Sequence, residues 1–222
     1  MAEHHIVVQR SARYFTLGDA TGETEELWIA CHGYGQLAAP FLASFQPIAA
    51  PSRLIVAPEG LSRFYLDRDR SASDPAPRVG ATWMTREDRD HEIADHVAYL
   101  DTLADATRAT LTRPDVRLRV LGFSQGVATV ARWVERGRVR PDELVLWAGS
   151  LPPDLDPVSF RDRLDGARVT VVVGTRDELA PWAAADAQVE RLAGAGIDAR
   201  RLTFDGGHRL DNATLIAIAA ER

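Results

Sequence analysis

The chain has no lysine; all 26 of its Lys+Arg positions are arginine. Chemistry that starts from an ε-amine is therefore excluded: a Schiff-base lysine, the lysine of a P-loop, or a Ser-x-x-Lys acylation site. Cysteine is nearly as scarce. Cys31 stands alone, so neither an intramolecular disulfide nor a thiolate metal cluster can form. It closes an apolar run, where a buried, inert thiol is the expected state rather than a nucleophile. No uninterrupted stretch of about 18 apolar residues occurs, so no membrane insertion is expected. Met1-Ala2-Glu3-His4-His5-Ile6 lacks a basic segment followed by an apolar one, so no signal peptide is expected and the default location is cytoplasmic. Basic runs are also missing and the net charge is -6, which argues against nucleic acid as a partner.

What is present is an ordinary globular composition. The chain has 222 residues, 45% of them hydrophobic and 26% charged, enough for a full core in a single domain spanning 1–222. Residues 5–17 alternate loosely and suit one or two edge strands. Glu26-Leu27-Trp28-Ile29-Ala30-Cys31 is almost continuously apolar, as a strand covered on both faces must be. A helix is expected over 38–50, with Pro40 and Pro47 blurring its limits, and a second buried strand over 54–57. Residues 61–85 are mostly polar and read as a long loop. A long helix over about 86–112 follows, with Ile93, Val97, Leu100, Leu103 and Leu111 as its core stripe. Further strands are expected at 117–121, 144–148, 169–173 and 199–204, and further helices at 181–194 and 211–221. Strands alternating with helices predict an α/β fold with a mostly parallel sheet and helices on both faces. Ligands in such sheets bind beyond the carboxyl ends of the strands.

The chemistry gathers at those ends. Val120-Leu121-Gly122-Phe123-Ser124-Gln125-Gly126 places a Gly-x-Ser-x-Gly pentapeptide where an apolar strand turns into an amphipathic helix. Such a turn projects a serine hydroxyl above the sheet, over a helix N-terminus. A serine hydroxyl is a weak nucleophile until a base takes its proton, and the base needs an acid to orient it. Among the histidines, His208 follows the last strand, after paired glycines that let the chain bend. It is the candidate base. Asp177 lies four residues past Val173 and is the candidate acid, with Glu178 as the alternative one residue on. The order Ser124, Asp177, His208 is the order this fold imposes. Two backbone donors should meet the developing oxyanion. The amide of Gln125 is one candidate, and that of Tyr34, in His32-Gly33-Tyr34-Gly35, is the other. His32 is expected to brace that loop. Trp83 is a candidate for the aromatic wall of an acyl pocket, or equally an anchor for the 61–85 loop.

A metal centre is the rival chemistry. His91-Glu92-Ile93-Ala94-Asp95-His96 is one residue longer than a zinc-protease motif. Five helical residues turn the two rings about 140° apart, so they cannot share an ion. Both are expected to be solvated helix residues. No metal and no cofactor is expected.

Together, His32-Gly33-Tyr34-Gly35, Ala57-Pro58-Glu59-Gly60, Gly122-Phe123-Ser124-Gln125-Gly126, Gly174-Thr175-Arg176-Asp177 and Gly206-Gly207-His208 resemble the phospholipase/carboxylesterase family of α/β-hydrolases. Acyl-protein thioesterases and small bacterial carboxylesterases belong to that family. The resemblance covers roughly residues 25–210 and implies an α/β-hydrolase fold without a large cap domain. It also implies a Ser124–His208–Asp177 triad with Tyr34 and Gln125 as oxyanion donors. The Asp- and Arg-rich stretch 61–85 does not match the hydrophobic acyl-binding loop of the thioesterase members. The expected function is therefore a serine carboxylesterase acting on small to medium acyl esters through an acyl-enzyme. An acyl thioesterase or lysophospholipase is the alternative, and a non-catalytic hydrolase-fold binding protein is a third reading. A small-molecule ester is the expected partner, and a homodimer is compatible with the sequence.

Overall fold

A computed structural model describes residues 1–67, 77–180 and 182–221, with backbone alone for 182–184. In chain order the elements are β1 (Tyr14–Leu17), β2 (Glu26–Cys31), α1 (Ala38–Ala43), β3 (Arg53–Pro58), β4 (Ser62–Tyr65), β5 (Val79–Thr82), α2 (Arg89–Arg108), β6 (Arg117–Phe123), α3 (Gln125–Arg136), β7 (Glu143–Trp147), α4 (Pro157–Arg163), β8 (Arg168–Gly174), α5 (Trp182–Gly194), β9 (Ala199–Phe204) and α6 (Asn212–Ala220).

Strands that are apolar on both faces need cover on both, and the pairing supplies it. The order is β1-β3-β2-β6-β7-β8-β9. Only β1 runs antiparallel, against β3; the other pairings are parallel. The central strands are buried almost throughout, while the edge strands β1 and β9 alternate exposed and covered positions. Alternate residues of β2 feed two separate cores. Leu27, Ile29 and Cys31 face the side packed by α2, α3, α4 and α5, while Trp28 and Ala30 face the side packed by α1 and α6. The fold is α/β with helices on both faces, as expected. Between β7 and β8 lies the seven-residue helix α4 and no large cap. No helix among the described residues is long and apolar enough to cross a membrane.

The chain visits β2, then β3 on one side, then returns to β6 on the other. The switch point is thus between β2 and β6, where Cys31 pairs with Gly122. Loops leaving those two strand ends diverge to opposite faces of the sheet and open a crevice there. The loop with Tyr34 and the turn with Ser124 are the two loops in question.

Several expectations need correction. The one or two edge strands expected over residues 5–17 are one, the edge strand Tyr14–Leu17. The helix expected over 38–50 is split into α1 and one turn of 3-10 helix at Gln46–Ile48, where Pro47 denies an amide to a continuing α-helix. The region read as one long loop contains an antiparallel hairpin, β4 with β5. Arg68, Asp69, Arg70 and Pro75, part of that reading, lie outside the described residues. The long helix is shorter than expected, and Leu111 lies beyond its end although it still packs against the core. Helix α4 was not anticipated. Its signal is present: Asp156 caps it by accepting from the Ser159 amide at 2.9 Å, with Pro157 in the first turn.

The largest correction concerns His96. His91 is exposed as expected, but His96 is fully buried. The same rotation that parts the two rings turns His96 onto the stripe of Ile93, Val97 and Leu100. Neither ring nitrogen makes a well-formed hydrogen bond among the described residues, although the Trp83 and Glu92 backbones lie near enough to favour the charged ring slightly. Burial, with the charge of Arg132 adding to it, lowers its pKa to about 4. The native state therefore holds this imidazole neutral, while the unfolded chain protonates it near pH 6.5. Its contribution is intact above that pH and is lost progressively as pH falls from 6.5 toward 4. The shift corresponds to about 3 kcal/mol. A His96→Leu variant is expected to lose less stability between pH 7 and pH 4.5 than the wild type in urea titrations. Parallel pH dependence in the two proteins would refute the assignment.

Candidate active site

The site is assembled from four strand ends. At the end of β6 the chain must reverse sharply to start α3. Ser124 does so at φ 55° and ψ -118°, a region that non-glycine residues rarely occupy. Its amide donates to the Trp147 carbonyl at 2.9 Å, and its carbonyl accepts from the Val127 amide at 3.0 Å. Two glycines permit the turn. A Cβ on Gly122 would stand 2.4 Å from the Gly126 carbonyl oxygen, and one on Gly126 would stand 2.2 Å from that of Cys31. The helix start thus presses directly on the ends of β6 and β2.

The loop after β2 lies beside the serine. A Cβ on Gly33 would be 3.0 Å from that of Ser124. Hydrogen bonds consume most amides of this loop. Gly33 N–H donates to Gln36 Oε1 at 2.8 Å, Gly35 N–H to the Ala81 carbonyl at 2.8 Å, and Gln36 N–H to the Gly33 carbonyl at 3.2 Å. Tyr34 N–H meets no acceptor among the described residues. Neither does the amide of Gln125, which opens α3 and so has no partner in a preceding helical turn. The Gln125 side chain is engaged instead. Its Nε2 donates to Thr82 Oγ1 and to the Met84 carbonyl, both at 2.9 Å, and its Oε1 accepts from Trp83 N–H at 3.2 Å.

His32 braces the loop, as expected. Its Nε2 accepts from Gly60 N–H at 3.0 Å, which puts the ring proton on Nδ1, donating to the Gly33 carbonyl at 2.7 Å. Burial holds this imidazole below its ordinary pKa, so it stays neutral. Trp83, a candidate pocket wall or loop anchor, is buried and bonded to the loop after β2. It is 2% exposed, and its indole N–H donates to the His32 carbonyl at 2.8 Å. Cys31 is buried, and burial pushes its thiol pKa up, as an inert thiol requires.

On the other side of the serine, the loops after β8 and β9 meet. The Asp177 side chain is fully buried, with Oδ1 accepting from the amides of Leu179 at 2.9 Å and Ala180 at 2.8 Å. Its Oδ2 lies 2.9 Å from Nδ1 of His208. With both oxygens engaged, Asp177 is fixed in place; Glu178 is exposed and does not share the role. The His208 ring packs on Phe123, the residue before the serine, with centroids 5.0 Å apart. The Trp147 indole N–H donates to the Arg209 carbonyl at 3.0 Å and holds this loop to β7. No hydrogen bond joins Ser124 to His208 among the described contacts. Such bonds are often long in unliganded sites and tighten around substrate. The arrangement can orient an imidazole by a buried carboxylate, with that ring packed on the residue preceding the serine.

Some contributors escaped sequence reasoning. Glu59 is buried, and its carboxylate accepts from Arg13 Nε at 2.7 Å, Arg63 at 3.0 Å and the Ala38 amide at 3.2 Å. Burial alone would raise its pKa, but these donors hold it below the usual range. It ties α1, β4 and the N-terminal segment to the loop that carries Gly60. The signal was the acidic residue in Ala57-Pro58-Glu59-Gly60, placed directly after a buried strand.

The close approach at Gly126 gives a test. Gly126→Ala is expected to cost at least about 2 kcal/mol of stability, because backbone and not a flexible side chain opposes the added methyl. Urea denaturation measures this. Any activity of the protein toward esters should fall together with it, since the displaced carbonyls belong to Cys31 and His32.

No family model matches the chain, and no curated protein matches it. Solved structures do. Esterase PE8 is 22% identical, with a TM-score of 0.66 over 95% of this chain and 97% of that one. A carboxylesterase from Mesorhizobium loti is 20% identical, with a TM-score of 0.68 over 94% and 92%. Acyl-protein thioesterase 2 of Zea mays is 16% identical, with a TM-score of 0.68 over 94% and 96%. At these identities the likeness is one of fold, and it extends over nearly the whole of both chains. The α/β-hydrolase fold expected from the motifs is the fold observed, and the structures that share it include esterases and an acyl-protein thioesterase.

Proposed function

We propose that this protein is a serine carboxylesterase of the phospholipase/carboxylesterase family, hydrolysing small to medium acyl esters. The observation that carries the reading is the buried Asp177 carboxylate on Nδ1 of His208, whose ring packs against the residue preceding a strained Ser124. In this mechanism Nε2 of His208 takes the proton from Ser124 Oγ as the oxygen attacks the ester carbonyl. Asp177 keeps the imidazole in the tautomer that leaves Nε2 free, and it stabilises the imidazolium. The amides of Tyr34 and Gln125 donate to the oxyanion. The proton then passes to the departing alcohol, and water activated by the same histidine hydrolyses the acyl-enzyme.

A second reading, longer acyl chains on esters or thioesters, has one observation in its favour. The β4–β5 hairpin lies against the Tyr34 loop. The Tyr34 and Phe64 rings are 5.1 Å apart, and a Cβ on Gly35 would stand 3.3 Å from Leu66. Tyr34, Tyr65, Leu66 and Val79 are all exposed there. This is an apolar surface in a region that sequence reasoning treated as polar.

Two measurements decide. Turnover of p-nitrophenyl acetate and butyrate should fall on the order of 10⁴-fold or more in Ser124→Ala. A fluorophosphonate should label the wild type once per chain and leave the variant unlabelled. Near wild-type turnover by the variant would sink the proposal. A series of acyl lengths separates the two readings. Each additional buried methylene is worth about 0.8 kcal/mol. The first reading expects kcat/KM to peak at short chains, and the second expects it to climb to about ten carbons or beyond.

A further inference from the structure

The helix rotation that prevents His91 and His96 from sharing an ion leaves His91 free for another partner, and the fold provides one. The N-terminal segment runs back along α2. Tyr99 Oη donates to the Arg13 carbonyl at 3.0 Å, the Glu59 amide donates to the same carbonyl at 3.1 Å, and Arg10 donates to the Leu61 carbonyl. This course brings His5 onto the start of α2. The His5 and His91 rings stack with centroids 3.9 Å apart and planes 20° from parallel. Both turn a nitrogen to one oxygen of Asp88. His91 Nδ1 is 2.7 Å from Asp88 Oδ1, and His5 Nε2 is 3.2 Å from it. Glu3 Oε1 is 3.3 Å from the same His5 nitrogen.

We propose that His5, Asp88 and His91 form a surface site for a divalent transition metal that clasps the N-terminal segment to α2. One ligand atom from each of the three lies within 4.8 Å of the other two. Two imidazole nitrogens with carboxylate oxygen suit zinc, nickel or copper; magnesium and calcium prefer oxygen alone. Glu3 or water completes a tetrahedral set around zinc. All three side chains are exposed, so the stacked rings can splay to aim their lone pairs at one ion. Asp88 stands at φ 47° and ψ 40°, a left-handed conformation that aspartate and asparagine tolerate better than most residues. Asp88→Asn therefore removes the charge and keeps the backbone. Only His5 comes from the N-terminal segment among the three, so detaching that segment breaks the site. The metal-bound state accordingly favours the attached one.

Calorimetric titration of the full chain with zinc alone tests the site. One zinc per chain is expected. His5→Ala, His91→Ala and Asp88→Asn should each weaken binding about tenfold or more, while His4→Ala should bind as the wild type does. A wild type that takes no zinc, or variants that bind it unchanged, would overturn the site. Trypsin tests the clasp. Cleavage after Arg10 needs the segment to detach, so zinc at ten times its Kd should slow that cut about tenfold in the wild type and not in His5→Ala. Equal cleavage rates with and without zinc would overturn the clasp even where zinc binds.

Discussion

The structure turns on the contact between the start of α3 and the ends of β2 and β6. A helix that begins so close to two strands leaves no room for side chains at Gly122 or Gly126, and it forces the residue between strand and helix into a costly conformation. A strained backbone of this kind costs on the order of 1–3 kcal/mol and persists only where its surroundings over-determine it. Here they do. Ser124 is held at its amide by Trp147, at its carbonyl by Val127, and between two strands that are buried and paired on both sides. The hydroxyl is raised out of the sheet by the same contact that places the first amide of α3 beneath it. The proposed nucleophile and one proposed oxyanion donor are therefore one geometric fact.

The opposite end of the sheet shows what the strands require when no site is built on them. Their first residues are charged: Glu26, Arg53, Arg117, Glu143 and Arg168. Arg119, fully buried, reaches Glu26 at 3.0 Å and Glu143 at 2.8 Å and donates to the carbonyls of Ile218 and Glu221. Arg53 adds the Ala219 carbonyl at 3.0 Å. These cations bond carbonyls at the end of α6, where the helix dipole also favours positive charge. Arginine suits this because its fork bonds a carboxylate and carbonyls at once while staying charged under burial. Ionic bonding thus gathers at the end of the sheet opposite the proposed site.

Much of this was legible in the sequence. Strands apolar throughout implied cover on both faces, and the motifs at their ends implied a shared rim. The pairing of Asp177 with His208 follows from that placement. What was illegible depends on facts that periodicity does not carry. The β4–β5 hairpin is short, without the alternation of apolar and polar residues that marks a strand, and its two strands are separated by a charged stretch. His96 was misread because its residue type suggests solvent, although its position on the Ile93–Val97–Leu100 stripe already pointed inward. His5 and His91 meet only because the N-terminal segment returns along α2, a tertiary route with no local signature. Trp83 left two roles open, and its hydrogen bond to the His32 carbonyl is a tertiary contact that the sequence does not carry.

The hairpin links the two halves of the proposed chemistry. Strand β5 exchanges two bonds with the Tyr34 loop, both at Ala81: Gly35 N–H donates to the Ala81 carbonyl, and Ala81 N–H donates to the Gln36 carbonyl at 3.2 Å. Residues just beyond β5 are held by the side chain of Gln125. The backbone that presents one proposed oxyanion amide is thus continuous, through hydrogen bonds, with the side chain of the residue that presents the other. The exposed apolar residues Tyr65, Leu66 and Val79 belong to this same hairpin. On the proposed function, acyl contacts there bear on a strand hydrogen-bonded both to the Tyr34 loop and to the Gln125 side chain. Binding energy from a part of the substrate remote from the carbonyl can then be expressed as better alignment at the carbonyl, which raises kcat as well as lowering KM. On the proposed function, acyl preference follows from the hairpin and the donor pair acting together.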